Sequence, residues 1–423
     1  MTDLFAELEW RGFVHHATPG LKAHLAKGEG PVSAYCGFDP TAPSLQLGNL
    51  MPIMLLLQLQ RAGHRPIVVM GGGTGLIGDP SGKRAERPLL TPQQITEHVQ
   101  RMRDQMAQFL DFDPGPAAAL LVDNAKWLVP QKLVDFLRDI GKHFTVNVML
   151  QKESVQARLE GGLSYTEFSY MLLQAYDYLH LYRKERCTLQ VGGSDQWGNI
   201  TAGVDLIRRL ENGEAHGLVA PLVTTAAGAK FGKSDAGAAI YLDPALTSPY
   251  KFYQFWYNTD DRDVGQYLKM FTLFSRPDIE ALLKAHAKDP SAREAQAKLA
   301  TDVTARVHGA AAVHGATTVN AILFSDRDPR DVEPAAFDIM AQEIPTATVT
   351  TRDGISLVDA VVQVGLVKSK SEARRSIEQG GVYVNQQRVK EVDRKLEPGD
   401  WLAGRNVLLR KGKKDYALLR LSS

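Results

Sequence analysis

Residues 32–70 read VSAYCGFDPTAPSLQLGNLMPIMLLLQLQRAGHRPIVVM, and this stretch decides the fold class. VSAYCGF at 32–38 reads as a strand, and PIVVM at 66–70 as another. Between them the apolar segment from about Gly48 to Ala62 is long enough for a helix that stops at Gly63. Strand, helix, strand implies a parallel pair joined by a right-handed crossover. Pro52 fits if it falls in the helix's first turn, where no backbone donor is needed.

Outward from this unit the alternation continues. Helical patterns at about 91–110 and 131–139 flank a strand, AALLV, at 118–122. A long helix from about Tyr165 to Lys184 leads into the strand TLQVGG and then a helix from about Asp195 to Leu210. This predicts a doubly wound, parallel-sheet, Rossmann-like α/β domain over residues 1–222. After PLVTTAAGAKFGKSDAG the pattern is mostly helical, from about Ser248 to Leu323, so 223–324 reads as a loop and helical domain. Residues 325–352, rich in Pro, Asp and Thr, read as a linker, and 353–423 as a small α+β domain.

Bulk composition sets the limits. At 423 residues, with 44% hydrophobic and 23% charged residues, the chain is long enough for two or three domains of about 150 residues. The opening MTDLFAELEW lacks the basic start and apolar run of a signal peptide, and no apolar stretch approaches the roughly 20 residues of a membrane span. A cytoplasmic protein without membrane contact is expected. Cys36 and Cys187, far apart in sequence, exclude a disulfide framework or Cys-rich zinc site, and the adjacent His15 and His16 lack metal-ligand spacing. No structural metal is expected. Net charge is +1, yet residues 351–423 hold 15 Lys and Arg against 9 Asp and Glu, which hints at nucleic acid.

Gly73, Gly75 and Gly78 in GTGLIG match the dinucleotide-binding pattern G-x-G-x-x-G after a strand. The next residues, DPSGKR, form a proline-containing turn where that motif needs a helix. The acidic residue due about 20 positions on, Glu97, lies inside a helical pattern rather than at a strand's end. A dehydrogenase is therefore set aside.

Three other constellations carry chemistry. In CGFDPTAPSLQLGNL a strand turns into a helix whose N-terminus offers free N–H groups and a positive dipole end to phosphate. Gln46 and Asn49, three apart, would share one face there; two exposed polar residues on an ordinary first turn is the other reading. Lys230 and Lys233 in KFGKS occupy a Gly- and Ala-rich stretch with no evident reason to be buried, as in a loop that closes over an anion. Tyr170, Gln174 and Asp177 stand at i, i+4 and i+7, so one helical stripe carries phenol, amide and carboxylate, facing either water or a pocket.

These segments resemble one family. QLGN at 46–49 stands where class I aminoacyl-tRNA synthetases have HIGH, with both histidines replaced but Gly48 kept, and KFGKS resembles their KMSKS loop. YCGFDPTA, GLIGDPSGK, FLRDIGKHF, TEFSYMLLQAYD, GGSDQWGNIT and SPYKFYQFW resemble tyrosyl-tRNA synthetases of bacterial type over most of the chain. The resemblance implies that Tyr35 and Asp177 hold the phenolic hydroxyl of substrate L-tyrosine, that Tyr170, Gln174 and Asp79 hold its ammonium, and that Gln196 lies near its carboxylate. It implies an ATP site at Cys36, Gly37, Asp39, Thr41, Gly48, Gly193 and Asp195. Lys83, Arg87, Lys230 and Lys233, with Mg²⁺ on the ATP phosphates, would stabilise charge as pyrophosphate leaves; Gln46 and Asn49 would hold the phosphates. SLVDAVVQVGLVKSKSEARRSIEQGGVYVNQQRV resembles an S4-type RNA-binding domain, implying that Lys368, Lys370, Arg374 and Arg375 contact tRNA(Tyr). The family further implies a homodimer. A tryptophan-activating enzyme of the same class and an RNA-binding paralogue without catalysis are the rivals; Tyr35 and Asp177 speak against the first, Asp79, Asp195 and Gln196 against the second.

Overall fold

The computed structural model describes residues 3–422 apart from 29, 82–89, 160, 230, 234–236 and 326. The chain divides into two compact units, Met1–Thr247 with Phe255–Val307, and Ser248–Gln254 with His308–Ser423.

The first unit is built on a six-stranded sheet: β1 (His16–Ala17), β2 (Ser33–Phe38), β3 (Arg65–Met70), β4 (Leu120–Asp123), β5 (Cys187–Gly193) and β6 (His216–Ala220). Their order is β1-β6-β5-β2-β3-β4, parallel throughout except for the antiparallel edge strand β1. Strands β3, β5 and β6 are buried along nearly their whole length, as expected for a parallel sheet covered on both faces. In β2 the exposed residue is Gly37, near the strand's carboxyl end.

Strand order reverses between β2 and β5. From β2 the chain moves outward to β3 and β4, then returns to add β5 and β6 on the other side. Such a switch point leaves a crevice at the carboxyl ends of the two strands, and Asp39 and Asp195 lie just past those ends.

The β2–β3 crossover is the helix Leu47–Arg61, nine of whose fifteen residues are buried. Pro52 lies in its second turn rather than its first, so the helix forgoes one backbone hydrogen bond there. The helix Tyr165–Glu185 starts at Ser164, whose hydroxyl accepts from Glu167 N–H, and ends at Arg186 in the left-handed conformation. It packs closely against the helix Trp197–Glu211: a Cβ on Gly203 would lie 2.9 Å from the Tyr178 ring. The glycine run at 73–78 opens a short 3₁₀ turn, Thr74–Leu76, and the described residues through Ser81 form no helix after it.

The second unit carries a five-stranded sheet of β7 (Thr346–Val349), β8 (Val382–Val384), β9 (Gln387–Val389), β10 (Asn406–Lys411) and β11 (Asp415–Leu421), ordered β7-β11-β10-β8-β9. Residues 325–352 therefore do more than link. They contain the helix Pro334–Glu343 and β7, an edge strand parallel to β11. The Pro and Thr content read as linker has local causes: Pro334 opens the helix, and TATV alternates as a half-exposed strand. The helix Ala310–Phe324 likewise belongs to this unit. Val361, Ile377, Val382, Val407 and Leu419 build its core, and Asn385 and Gln386, both at positive φ, make the tight turn between β8 and β9.

Candidate active site

The stripe on the Tyr165–Glu185 helix faces protein, not water, and each of its three polar residues has a partner. Tyr170 Oη donates to Asp39 Oδ2 at 2.8 Å, and Thr74 Oγ1 donates to Asp39 Oδ1 at 2.8 Å. One turn on, Gln174 Oε1 accepts from Asn199 Nδ2 at 3.0 Å. Asp177 accepts from Trp127 Nε1 at 2.7 Å and from Asn124 Nδ2 at 2.9 Å.

Asp177 is 4% exposed, and burial pushes its carboxyl up to about 7 despite the two hydrogen bonds; Asp39 and Asp123 push the same way. Tyr35 is 1% exposed, with its ring edge-on to Tyr178 at 5.2 Å, and its hydroxyl has no hydrogen-bond partner among the described residues. Burial raises that phenol well above its ordinary range, and the nearby Asp177 charge adds to the effect. A buried phenol without a partner beside a buried carboxylate is suited to a ligand hydroxyl that donates to one and accepts from the other.

Beyond Tyr170 lies a second polar group. Asp79 accepts from Gln196 Nε2 at 2.7 Å and from Ser81 N–H at 2.9 Å. Asn199 Nδ2 approaches Gln196 Oε1 and Ser81 Oγ, both at 3.3 Å. Burial, then the charges of Asp39 and Asp79, raises the Tyr170 phenol well above its usual value. Two carboxylates near one tyrosine make an electronegative lining that favours an ammonium group.

The residues expected on the nucleotide side lie at the ends of β2 and β5. A Cβ on Gly193 would fall 2.7 Å from Asp195 Oδ1, whereas one on Gly37 would meet nothing, so the backbone at Gly37 is open to a ligand. Cys36 is buried, its thiol pushed up to about 12 by burial and by Asp195. Thr41 is exposed in the turn after β2, where its N–H donates to Asp39 O at 2.8 Å.

At the phosphate end, Gln46 and Asn49 do not share a helix face. Gln46 is the extended residue before the first turn, and its N–H donates to Asn49 Oδ1 at 2.8 Å. Asn49 thus uses its oxygen to cap the helix, leaving its Nδ2 as a donor. Gly48 is exposed at this N-terminus.

The lysine loop is anchored, contrary to the expectation of a fully exposed stretch. Phe231 is buried among Phe255, Trp256, Tyr267 and Phe271. Gly232, at φ 83°, sits so close to the helix start that a Cβ would lie 3.3 Å from both Gly48 N and Leu47 Cβ. Ile240 N–H donates to Gly232 O, Leu47 N–H to Ile240 O, and Leu242 N–H to Leu45 O. Lys233 is exposed beside these pairings; Lys83, Arg87 and Lys230 lie outside the described residues.

Asn124, Trp127, Asn199, Thr74 and Ser81 were missed in the sequence. The available signal was NAKW, 124–127, directly after β4, since residues past the carboxyl ends of parallel strands face the crevice. In the second unit Lys368, Lys370, Arg374 and Arg375 are exposed on and just before the helix Lys370–Glu378, and Lys370 pairs with Asp359 at 2.7 Å.

The family model "tRNA synthetases class I (W and Y)" matches residues 27–325, and "Tyrosine–tRNA ligase SYY-like C-terminal domain" matches 337–419. A tyrosine–tRNA ligase of Anaeromyxobacter dehalogenans is 51% identical over 423 residues, covering 100% of both chains. One from Roseiflexus castenholzii is 50% identical over 427 residues, also with 100% of each covered. Among solved structures, a C-terminally truncated mitochondrial tyrosyl-tRNA synthetase of Aspergillus nidulans is 30% identical with a TM-score of 0.69, over 77% of this chain and 95% of that one. The crevice between β2 and β5, the anchored lysine loop and this full-length likeness lead to one assignment: the chain belongs to the tyrosine–tRNA ligase family of class I tRNA synthetases.

Proposed function

We propose that the chain activates L-tyrosine with ATP and transfers the tyrosyl group to tRNA(Tyr). The observation that carries this reading is the Tyr35–Asp177 pair, a buried donor–acceptor combination that a phenol satisfies and a phenyl ring does not. The tyrosine carboxylate, ionised at neutral pH, attacks the α-phosphorus of ATP. The bond to the bridging oxygen breaks, and tyrosyl-adenylate and pyrophosphate form. A ribose hydroxyl at the 3′ end of tRNA then attacks the tyrosyl carbonyl, releasing AMP.

No general base is needed in the first step, so acceleration comes from alignment and from charge stabilisation. Asp79 and Tyr170 orient the ammonium, Gln196 the carboxylate, and the N-terminus of the Leu47–Arg61 helix holds phosphate with Gln46, Gly48 and Asn49. Gly37, Asp39, Thr41, Gly193 and Asp195 receive the nucleoside. Lys83, Arg87, Lys230 and Lys233 are the cations assigned to the departing pyrophosphate. Magnesium enters with ATP, as the counter-ion of its phosphates.

The exposed basic helix with Lys368, Lys370, Arg374 and Arg375 suits tRNA phosphates. Large exposed apolar side chains concentrate between residues 129 and 165, including Leu133 (72%), Val134 (74%) and Tyr165 (72%), and a second copy of the chain is the assigned cover. No helix among the described residues is long and apolar enough to cross a membrane, and the cytoplasm is the proposed compartment. ATP–pyrophosphate exchange with tyrosine, phenylalanine and tryptophan tests the reading. Exchange with tyrosine alone supports it, while exchange with none of the three, from folded protein that binds tRNA, overturns it.

A further inference from the structure

Gln105 stands in the last turn of the helix Pro92–Met106, and its side chain reaches residues 44 and 45, just ahead of the phosphate-side helix. Leu45 N–H donates to Gln105 Oε1 at 2.9 Å, and Gln105 Nε2 donates to Ser44 Oγ at 2.9 Å. Ser44, 3% exposed, uses the same hydroxyl to donate to Leu45 O at 2.8 Å and to accept from Asp243 N–H at 3.2 Å. Leu45 O also accepts from Leu242 N–H at 2.9 Å. One side-chain amide therefore ties together the approach to the helix N-terminus and, through Ser44, the segment that returns from the lysine loop.

This position matters because Leu45 precedes Gln46, whose N–H is capped by Asn49, and Leu47 pairs with Ile240. A shift at Leu45 moves the first-turn N–H groups and the base of the lysine loop together. Misplacement of about 1 Å at a reacting centre costs on the order of a hundredfold in rate. We propose that Gln105 is a positioning residue for the ATP triphosphate, registering the helix N-terminus against the lysine loop; this rests on the reading that both address ATP. The hydrogen bonds of the Gln105 side chain go to Ser44 and Leu45. Its effect passes through Ser44 and Leu45, and the tyrosine pocket around Asp177 draws on neither of them.

The test compares wild type, Gln105→Ala and Gln105→Glu in tyrosine-dependent ATP–pyrophosphate exchange, alongside equilibrium tyrosine binding. Gln105→Ala is expected to lower kcat by about tenfold or more and to raise KM for ATP, leaving tyrosine affinity within about twofold. Glutamate keeps an acceptor for Leu45 N–H, and the Ser44 hydroxyl can turn to donate to it, so Gln105→Glu should recover most of the loss. Unchanged kcat and ATP KM in Gln105→Ala would overturn the proposal. So would an equal loss of tyrosine and ATP binding, including through failure to fold, or a Glu variant no better than Ala. A wild-type chain without tyrosine-dependent exchange removes the proposed activity, and this proposal with it.

Discussion

The Phe231 ring stacks on that of Phe271, centroids 5.1 Å apart and planes within 9° of parallel. The lysine loop thus hangs from a buried aromatic anchor whose next residue, Gly232, touches the start of the phosphate-side helix. Replacing Phe231 by Ala removes a large side chain from that cluster and should cost about 3 kcal/mol of stability. Pyrophosphate exchange should fall more than tyrosine binding, because Tyr35 and Asp177 lie outside the cluster. Thermal melting and paired assays of the two activities check this.

Asp177 gives the tyrosine site a pH response. Burial raises its carboxyl to about 7, and the ionised form is the stronger acceptor for a phenol. Tyrosine affinity should therefore weaken as pH falls below about 7, and Asp177→Asn should flatten that dependence and reduce discrimination against phenylalanine. Stability runs the other way. The folded value lies above the unfolded value of about 3.9, so the group's stabilising contribution is complete below that pH and is lost as pH rises through about 7. Binding titrations and denaturant melts between pH 5 and about 8 separate the two effects.

Gly203 faces the Tyr178 ring at a distance no Cβ tolerates. Gly203→Ala should push the Tyr165–Glu185 and Trp197–Glu211 helices apart at a cost of about 1–3 kcal/mol. A lowered Tm with weaker tyrosine binding is expected, since the first helix carries Tyr170, Gln174 and Asp177. A Tm equal to wild type would refute the close packing.

Arg374→Ala with Arg375→Ala should weaken tRNA charging and make it less salt-sensitive, while leaving pyrophosphate exchange within about twofold. Both side chains are exposed on the second unit's helix. Aminoacylation measured across a salt series, beside exchange, is the check.

Leu133→Asp with Val134→Asp places two charges in the exposed apolar stretch. Sedimentation should show a shift from dimer toward monomer; a wild-type chain already monomeric at micromolar concentration would remove the proposed partner.

Local signals carried the first unit's frame. The helix Leu47–Arg61 and strands β2, β3 and β5 announce themselves through long apolar runs bounded by Gly and Pro. What stayed hidden depends on distant partners. The two residues of β1 are a strand only because β6 lies beside them, and β7 is one because β11 does. Phe231 looked exposed because its aromatic neighbours come from residues 255–271. In the site, the Tyr170–Gln174–Asp177 stripe was visible as helical spacing. Its supports, Asn124, Trp127 and Asn199, come from other elements, and no spacing rule connects them.

Neither Gln46 nor Asn49 has a proton to gain or lose near neutrality, and the bond between them already closes the first turn. A histidine in either place would add a titrating imidazole to the phosphate end. The two amides themselves contribute no protonation event between pH 6 and about 8. Asp177, raised to about 7, does carry such an event, so acidification through that group should act on which amino acid is held and how tightly rather than on Gln46 and Asn49.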